Sequence, residues 1–290
     1  RLQYFTILVS INVEKLTIGT CVYDDFEGLY FTIQSLRLHH SDVLDRLEFV
    51  IINNNPKSAQ GREIRNFVEW VKEPLTYVEF DAFNATSLRD KIFGIANTEY
   101  VLVMDCHVLL DPGSLKKLLD YYDAGKDKGN LLQGPLVYDD METVSTHFDL
   151  DKWGADMWGV WATDKRGTDP NAKPFEIPAQ GLGLFTCRKD SWLGFNKKFR
   201  GFGGEEGYIH EKYRNAGRKA VCLPFLRWVH RFGRPQGASY NPTVEDRFRN
   251  YMIGFQEIGK DTDEIIDRFK DKVSKEFFQS VKEELGISEK

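Results

Sequence analysis

Short runs rich in β-branched and aromatic residues alternate, over the first half of the chain, with longer stretches whose apolar positions recur every three to four residues. The runs Leu16–Val22, Leu47–Asn53, 75–80 and Tyr100–Met104 predict strands, and 28–39, 58–71 and 86–96 predict helices. Strands separated by helices of this length imply βαβ units and a parallel sheet, with right-handed crossovers. Ligands of such sheets sit beyond the carboxyl ends of the strands, which directs attention to 20–25, 53–55, 81–84 and 105–107.

Further on, Asp111-Pro112-Gly113-Ser114 reads as a turn opening a helix over 115–122, followed by a polar stretch and an apolar run at 131–138. Segment 139–178 has weak periodicity and sets Trp153, Trp158 and Trp161 among Asp, Gly and Pro. It reads as a long irregular excursion, whose indoles either serve binding or pin it to the body. A helix over 205–215, a strand over 219–223 and a basic aromatic segment over 227–234 follow. From Thr243 the tail is strongly helical, with Ile265, Phe269, Val273, Phe277 and Val281 at four-residue spacing on one face. The expected organisation is one α/β domain over 1–240, in two halves at about 16–138 and about 139–240. A helical C-terminal extension over 241–290 completes it.

With 290 residues, 41% of them hydrophobic, a sizeable core needs no covalent staples. Cys21, Cys106, Cys187 and Cys222 stand singly, which points away from a disulfide framework or a cysteine zinc site and toward a reducing compartment. The formal charge of −5 gives no global attraction to nucleic acid. No run approaches the roughly 18 apolar residues of a membrane span, and the start lacks the order of a signal peptide, so a cytoplasmic location without a transmembrane segment is expected.

Chemistry concentrates in a few places. Asp105-Cys106-His107 follows the apolar run 100–104, so a carboxylate and an imidazole emerge together at a strand's carboxyl end, on the same side of the chain. That pair suits Mn²⁺ or a similar cation and leaves positions for diphosphate oxygens. Gly203-Gly204 ahead of Glu205 and Glu206 suggests backbone passing close to a ligand, with two acids opening a helix. No GxGxxG follows the first strand and no P-loop is present, which disfavours a dinucleotide-binding dehydrogenase and a P-loop NTPase.

Four segments together resemble the GT-A glycosyltransferases, and most closely the catalytic domain of the polypeptide N-acetylgalactosaminyltransferases. They are Leu88 to Gly94 with 100–107, Ala179-Gln180-Gly181-Leu182-Gly183-Leu184-Phe185, Phe202-Gly203-Gly204-Glu205-Glu206, and Pro224 through His230-Arg231-Phe232. The resemblance covers about residues 16–235 and implies a Rossmann-like, mostly parallel sheet flanked by helices. It implies a UDP-sugar donor and makes His230 the third ligand, beside Asp105 and His107, of Mn²⁺ or Mg²⁺. Thr20, Tyr23 and Asp25 would hold base and ribose, with Asp81 near the base. Arg89 would support the diphosphate or the sugar, Arg231 and Arg234 the diphosphate, Gly203 and Gly204 the close approach, and Glu205 a hydroxyl.

Gln180 and Leu182 depart from that family's Ala-Gly-Gly-Leu-Phe, and Glu206 stands where it carries Asn and where inverting relatives carry their base. A carboxylate at 206 favours inversion over the family's retaining transfer. Nothing after residue 240 resembles the β-trefoil lectin domain that often accompanies that family, which sets a secretory mucin-type protein acceptor aside. The acceptor stays open among glycan, protein, lipid and modified nucleic-acid base, the last on the strength of Arg227, Arg231, Arg234, Arg247 and Arg249. The rival classes are a nucleotide-sugar-binding module without catalysis and a metal-dependent hydrolase using the same site.

Overall fold

The computed structural model describes residues 15–233, 237 and 240–287. The first half runs β1 (Leu16–Val22), α1 (Phe26–His39), β2 (Leu47–Asn53), α2 (Ala59–Val68), β3 (Leu75–Glu79), α3 (Asp90–Ile95), β4 (Tyr100–Met104), β5 (Val108–Leu110) and α4 (Ser114–Asp123). Then come β6 (Leu131–Gln133), β7 (Leu136–Val137), β8 (Val144–Ser145), β9 (His147–Gly154), β10 (Met157–Ala162), β11 (Phe175–Glu176) and β12 (Leu184–Arg188). The chain ends with α5 (Glu205–Asn215), β13 (Ala220–Cys222), β14 (Trp228–His230), α6 (Val244–Ile258), α7 (Asp263–Phe269) and α8 (Lys275–Glu284).

One sheet of eight strands, ordered β11-β13-β6-β12-β4-β1-β2-β3, crosses the molecule. Strands β1 to β4 pair in parallel, with Leu16 opposite both Leu47 and Tyr100, and β12 closes against β4 in the antiparallel sense. Both faces are covered, as nearly continuous apolar strands require. On one face Leu16, Ile18 and Val22 meet Leu29, Ile33 and Leu36 of α1 and Leu115, Leu118 and Leu119 of α4. On the other, Val101, Val103 and Phe185 join Ile92 of α3, Tyr208 and Ile209 of α5, and Phe248, Met252 and Phe255 of α6. Gly19 faces this second layer, where a Cβ would stand 2.1 Å from the Ile92 side chain, so α3 seats against β1 only because position 19 has none.

A smaller sheet, β5-β14-β7-β8, decides the site. Strand β14 runs antiparallel to β5 with His230 opposite Val108, and the Arg231 N–H donates to the His107 carbonyl at 3.2 Å. That register sets two histidines 123 positions apart side by side.

The differences from the sequence expectations have local causes. The run 131–138 is two strands in different sheets, split at Gly134-Pro135, where Gly134 passes so close to the Leu226 carbonyl that a Cβ would overlap it. The helix expected over 86–96 is a 3₁₀ turn, Thr86–Arg89, followed by α3. The excursion 139–178 contains the β9–β10 hairpin, whose alternation is masked by register shifts around Gly159. The tail is three helices, and Val273 lies between α7 and α8, so the four-residue ladder spans a break. These helices share the core with the central strands. Among the described residues no helix is long and apolar enough to cross a membrane.

The hairpin is tied to the C-terminal helices. Its turn places Ala155 and Asp156 in the left-handed region (φ 48° and 64°), a conformation costly for residues other than glycine. Arg247 of α6 donates to the Ala155 carbonyl at 3.1 Å, Lys272 pairs with Asp156, and the Trp158 N–H donates to the Tyr251 hydroxyl at 2.7 Å.

Candidate active site

A cavity of about 700 Å³ opens where β1 and β4 end and is walled on the far side by the β9–β10 hairpin. At its base Asp105, His107 and His230 converge, their ligand atoms all within 4.8 Å of one another. The two histidine Nε2 atoms lie 3.1 Å apart, and His230 Nε2 is 3.4 Å from Asp105 Oδ2. A carboxylate oxygen and two imidazole nitrogens suit a divalent cation of intermediate softness and leave coordination positions for oxygen ligands. Two ring nitrogens pointed at one spot, beside a carboxylate, fit a cation better than they fit each other.

Electrostatics keep this set anionic. Burial opposes ionisation of Asp105, but Arg89, donating to Oδ1 at 2.8 Å, and the two imidazoles outweigh it, and the carboxyl is held far below its usual range. Arg89 is itself held charged against burial by Asp105 and Glu205.

Asp25 lines the cavity with both of its carboxylate oxygens engaged. Its Oδ1 caps α1 by accepting from the Gly28 N–H at 3.1 Å and also receives Arg231 Nη2 at 3.1 Å, while Oδ2 lies 2.8 Å from His107 Nδ1. Burial works against its charge, yet the hydrogen bond and charge of His107, the Gly28 N–H and Arg231 hold its carboxyl below the usual range. An ionised acceptor on Nδ1 puts the ring proton there and turns the Nε2 lone pair toward Asp105 and His230.

On the opposite side, α5 begins at the left-handed pair Gly203 (φ 101°) and Gly204 (φ 94°). Neither glycine lines the cavity. Side chains there would strike Arg247 and Asn250, so the pair is needed for backbone conformation and for packing on α6, and Gly201 and Phe202 form the lining. Glu205 is fully buried behind the wall, its Oε2 accepting from the Gly203 N–H at 2.9 Å and its Oε1 3.8 Å from Arg89 Nη1. Glu206 does line the cavity, with Oε2 buried and without a hydrogen-bond partner. Burial, and then the neighbouring Glu205 charge, push its carboxyl up to about 8.

Of the remaining expected residues, Tyr23 and Arg89 line the cavity, whereas Thr20 does not: strand alternation turns it into the layer facing α1, where it is buried. Asp81 is half exposed on a loop and paired with Lys57, outside the lining. Arg231 stands behind the metal trio on Asp25, and Arg234 lies outside the described residues. Within the arginine stretch Arg227 pairs with Asp111, Arg231 with Asp25 and Arg249 with Glu284, while Arg247 donates to the Ala155 carbonyl. Asn54, Asn84, Thr86, Tyr240 and Asp246 also line the cavity and were given no site role from the sequence, as do Trp161, noted there as an indole for binding or anchoring, and Phe202, part of the 202–206 motif. The strand-end rule reaches Asn54 and Asn84; Tyr240 and Asp246 carry no comparable local signal.

A mostly parallel α/β sheet with an Asp-x-His at the end of its fourth strand and a histidine brought in by a second sheet defines the GT-A class of glycosyltransferase folds. The chain matches the model of glycosyl transferase family 2 over residues 17–189, more than half its length, and belongs to that family. No curated protein matches it in sequence. Among solved structures, GalNAc-T7 with UDP, GalNAc and Mn²⁺ aligns with a TM-score of 0.64 at 14% identity, covering 84% of this chain and 48% of the other. The mannosyltransferase PcManGT from Pyrobaculum calidifontis, in complex with GDP-Man and Mn²⁺, aligns with a TM-score of 0.54 at 15% identity, covering 86% and 65%. S. aureus TarS 1-349 aligns with a TM-score of 0.51 at 12% identity, covering 87% and 68%. The chain thus spans about half the length of GalNAc-T7, and at these identities the likeness is one of fold.

Proposed function

We propose that this domain is a metal-dependent glycosyltransferase that moves a sugar from a UDP-linked donor to an acceptor hydroxyl with inversion. The observation that carries the reading is the convergence of Asp105, His107 and His230 at one end of a cavity whose other wall presents Glu206. Asp105, His107 and His230 hold Mn²⁺, or Mg²⁺ in its place, which when bound offsets the charge developing on the departing diphosphate. Tyr23, Asn54 and Asn84, at the ends of the first three strands, face the nucleoside, and Arg89 meets the diphosphate or the sugar. Glu205, set back behind the wall, holds Arg89 and the glycine turn. Of the similar structures, GalNAc-T7 holds UDP and PcManGT holds GDP-Man, each with Mn²⁺, which supports a nucleotide-linked donor and a divalent cation.

In this reading Glu206 takes the proton of the acceptor hydroxyl as the new C–O bond forms at the anomeric carbon. The bond to the phosphate oxygen breaks, its electron pair leaving with the nucleoside diphosphate. A carboxyl that titrates near 8 is well matched to that proton near neutral pH. The base form dominates only above its pKa, so transfer rises with pH toward a plateau past about 8.

The test is a panel of UDP- and GDP-sugars with Mn²⁺, following nucleotide release and, by NMR, the anomeric configuration of the product. Asp105→Asn is expected to lower transfer by about a thousandfold, and Glu206→Gln to lower kcat by about a hundredfold or more with little change in Mn²⁺ affinity. Equal activity of Asp105→Asn and wild type overturns the metal assignment. Retained transfer in Glu206→Gln, or a product of retained configuration, overturns the base. Sugar release to water alone identifies a hydrolase, and UDP binding without turnover a binding module.

A further inference from the structure

Resting on that reading, we propose that the acceptor is a neutral saccharide, received between the indole of Trp161 and the carboxyl groups of Asp246 and Glu206. Tyr23, Asp25 and Arg89, with the rings of Trp228 and Phe232 that flank His230, line the cavity near the metal trio. Across from it stand Phe148, Met157, Val160, Trp161, Phe202 and Tyr240, an almost wholly apolar and aromatic surface. Glu206 lies in this same cavity. A donor diphosphate has no use for an aromatic wall, so that wall is left for the second substrate.

Trp161 is held as a fixed surface. The Phe148 ring meets it edge-on with centroids 4.5 Å apart, and its six-membered ring lies so close to Gly181 that a Cβ there would stand 2.9 Å away. The bonds from Arg247, Tyr251 and Lys272 keep the hairpin that carries it from swinging. An indole face bears the negative side of the ring quadrupole and attracts the polarised C–H groups of a pyranose, which present a flat apolar face.

Asp246, in the first turn of α6, supplies the polar partner. Its carboxylate packs over Gly201, where a Cβ would fall 2.3 Å from Oδ2, and it lines the cavity. Among the described residues its side chain makes no hydrogen bond or ion pair, and Glu206 Oε2 is likewise unpartnered. The Glu206 carboxyl and the Asp246 carboxylate both bond hydroxyl groups well, and the charge of Asp246 disfavours a phosphate-bearing acceptor. A site built to bond hydroxyls also rejects analogues that lack them. Aromatic surface beside carboxyl groups that no described side chain bonds favours a hydroxyl-rich neutral ring over a nucleic acid.

The experiment uses the full chain with Mn²⁺ and the donor sugar that gives transfer or release. Acceptors are a set of methyl and nitrophenyl glycosides, a serine- and threonine-containing peptide, a single-stranded oligonucleotide and a dispersed long-chain alcohol. Transfer to glycosides is expected, with Trp161→Ala raising acceptor KM by about tenfold, the effect of losing roughly 1.4 kcal/mol of stacking. Trp161→Phe should recover most of that loss, and Asp246→Asn should raise acceptor KM by about fivefold. UDP affinity, titrated with Mn²⁺, stays within about twofold in all three variants because none touches the metal wall. Saturation-transfer NMR on the best methyl glycoside gives a readout independent of turnover, its signal falling in Trp161→Ala.

Preference for peptide, oligonucleotide or alcohol overturns the proposal, as does an acceptor KM or transfer signal that Trp161→Ala leaves unmoved. A wild type that binds UDP with Mn²⁺ but finds no glycoside acceptor overturns it too. A wild type that neither binds UDP nor releases it overturns instead the donor reading on which it rests.

Discussion

The two walls of the cavity differ in how their polar groups are satisfied. On the metal wall, Asp105 is bound by Arg89, and His107 by Asp25, which Arg231 and the start of α1 hold in turn. On the hairpin side, among the described residues, Glu206 Oε2 is buried without a hydrogen bond and Asp246 faces the cavity without an ion pair. Buried polar atoms usually find a partner in the protein, in water or in a ligand. His230 Nδ1 and Arg89 Nη1 are also buried without hydrogen bonds, so the contrast is one of charge pairing: a cation fixes the Asp105 carboxylate before anything binds, while Glu206 and Asp246 are left to what binds.

That contrast breaks most visibly at Glu206. Its folded pKa of about 8 lies above the 4.5 of an ordinary glutamate, so its contribution to stability is present below about pH 4.5 and is lost as pH rises through about 8. Glu206→Gln removes this penalty. The melting temperature of the variant, measured from pH 5 to 9, should exceed that of wild type increasingly at the alkaline end, by a stability difference on the order of a few kcal/mol. Parallel melting curves would place the acid in solvent and dissolve the contrast.

Next in size comes Asp25→Asn, which keeps the shape but loses the charge that fixes the His107 ring. Mn²⁺ affinity measured by calorimetry should fall by about 10- to 100-fold, with Asp25→Glu recovering part of it. An unchanged affinity would mean that the metal wall does not depend on the carboxylate behind it. The smallest effect belongs to Lys272→Ala at the hairpin turn. A half-exposed ion pair contributes less than about 1 kcal/mol, so thermal stability should barely move, while acceptor KM rises measurably if the turn positions Trp161. No change in acceptor KM would show that Arg247 and Tyr251 suffice.

Much of the fold was legible because its signals are local. Strands β1, β2 and β4 and helix α5 follow apolar runs or capping acids to the residue. The strand-end rule pointed to Asp105, His107 and Tyr23, and all three line the cavity. Thr20 was drawn toward the ligand by its neighbours, but alternation within β1 turns it the other way. Asp25 shows the same limit at finer scale: its position at the end of β1 was visible, but not that its two oxygens are taken by a helix start, an arginine and a histidine 82 residues away. The four-residue ladder of the tail was real as burial and misleading as one helix, since packing on a curved core preserved the spacing across a break.

By itself the sequence determined the parallel sheet, the acid and imidazole at the end of its fourth strand, and the two glutamates opening α5, because periodicity and capping act within a few residues of their cause. His230 came into the set only through the family resemblance, and the tertiary structure is what brings it beside Asp105 and His107, through the pairing of β14 with β5. The tertiary structure alone separated Glu205 from Glu206, sending one behind the wall and the other into the cavity, and brought Trp161 and Asp246 to the same surface. The reason is physical: strand register and helix docking are fixed by packing between segments far apart in the chain, and no local pattern encodes them.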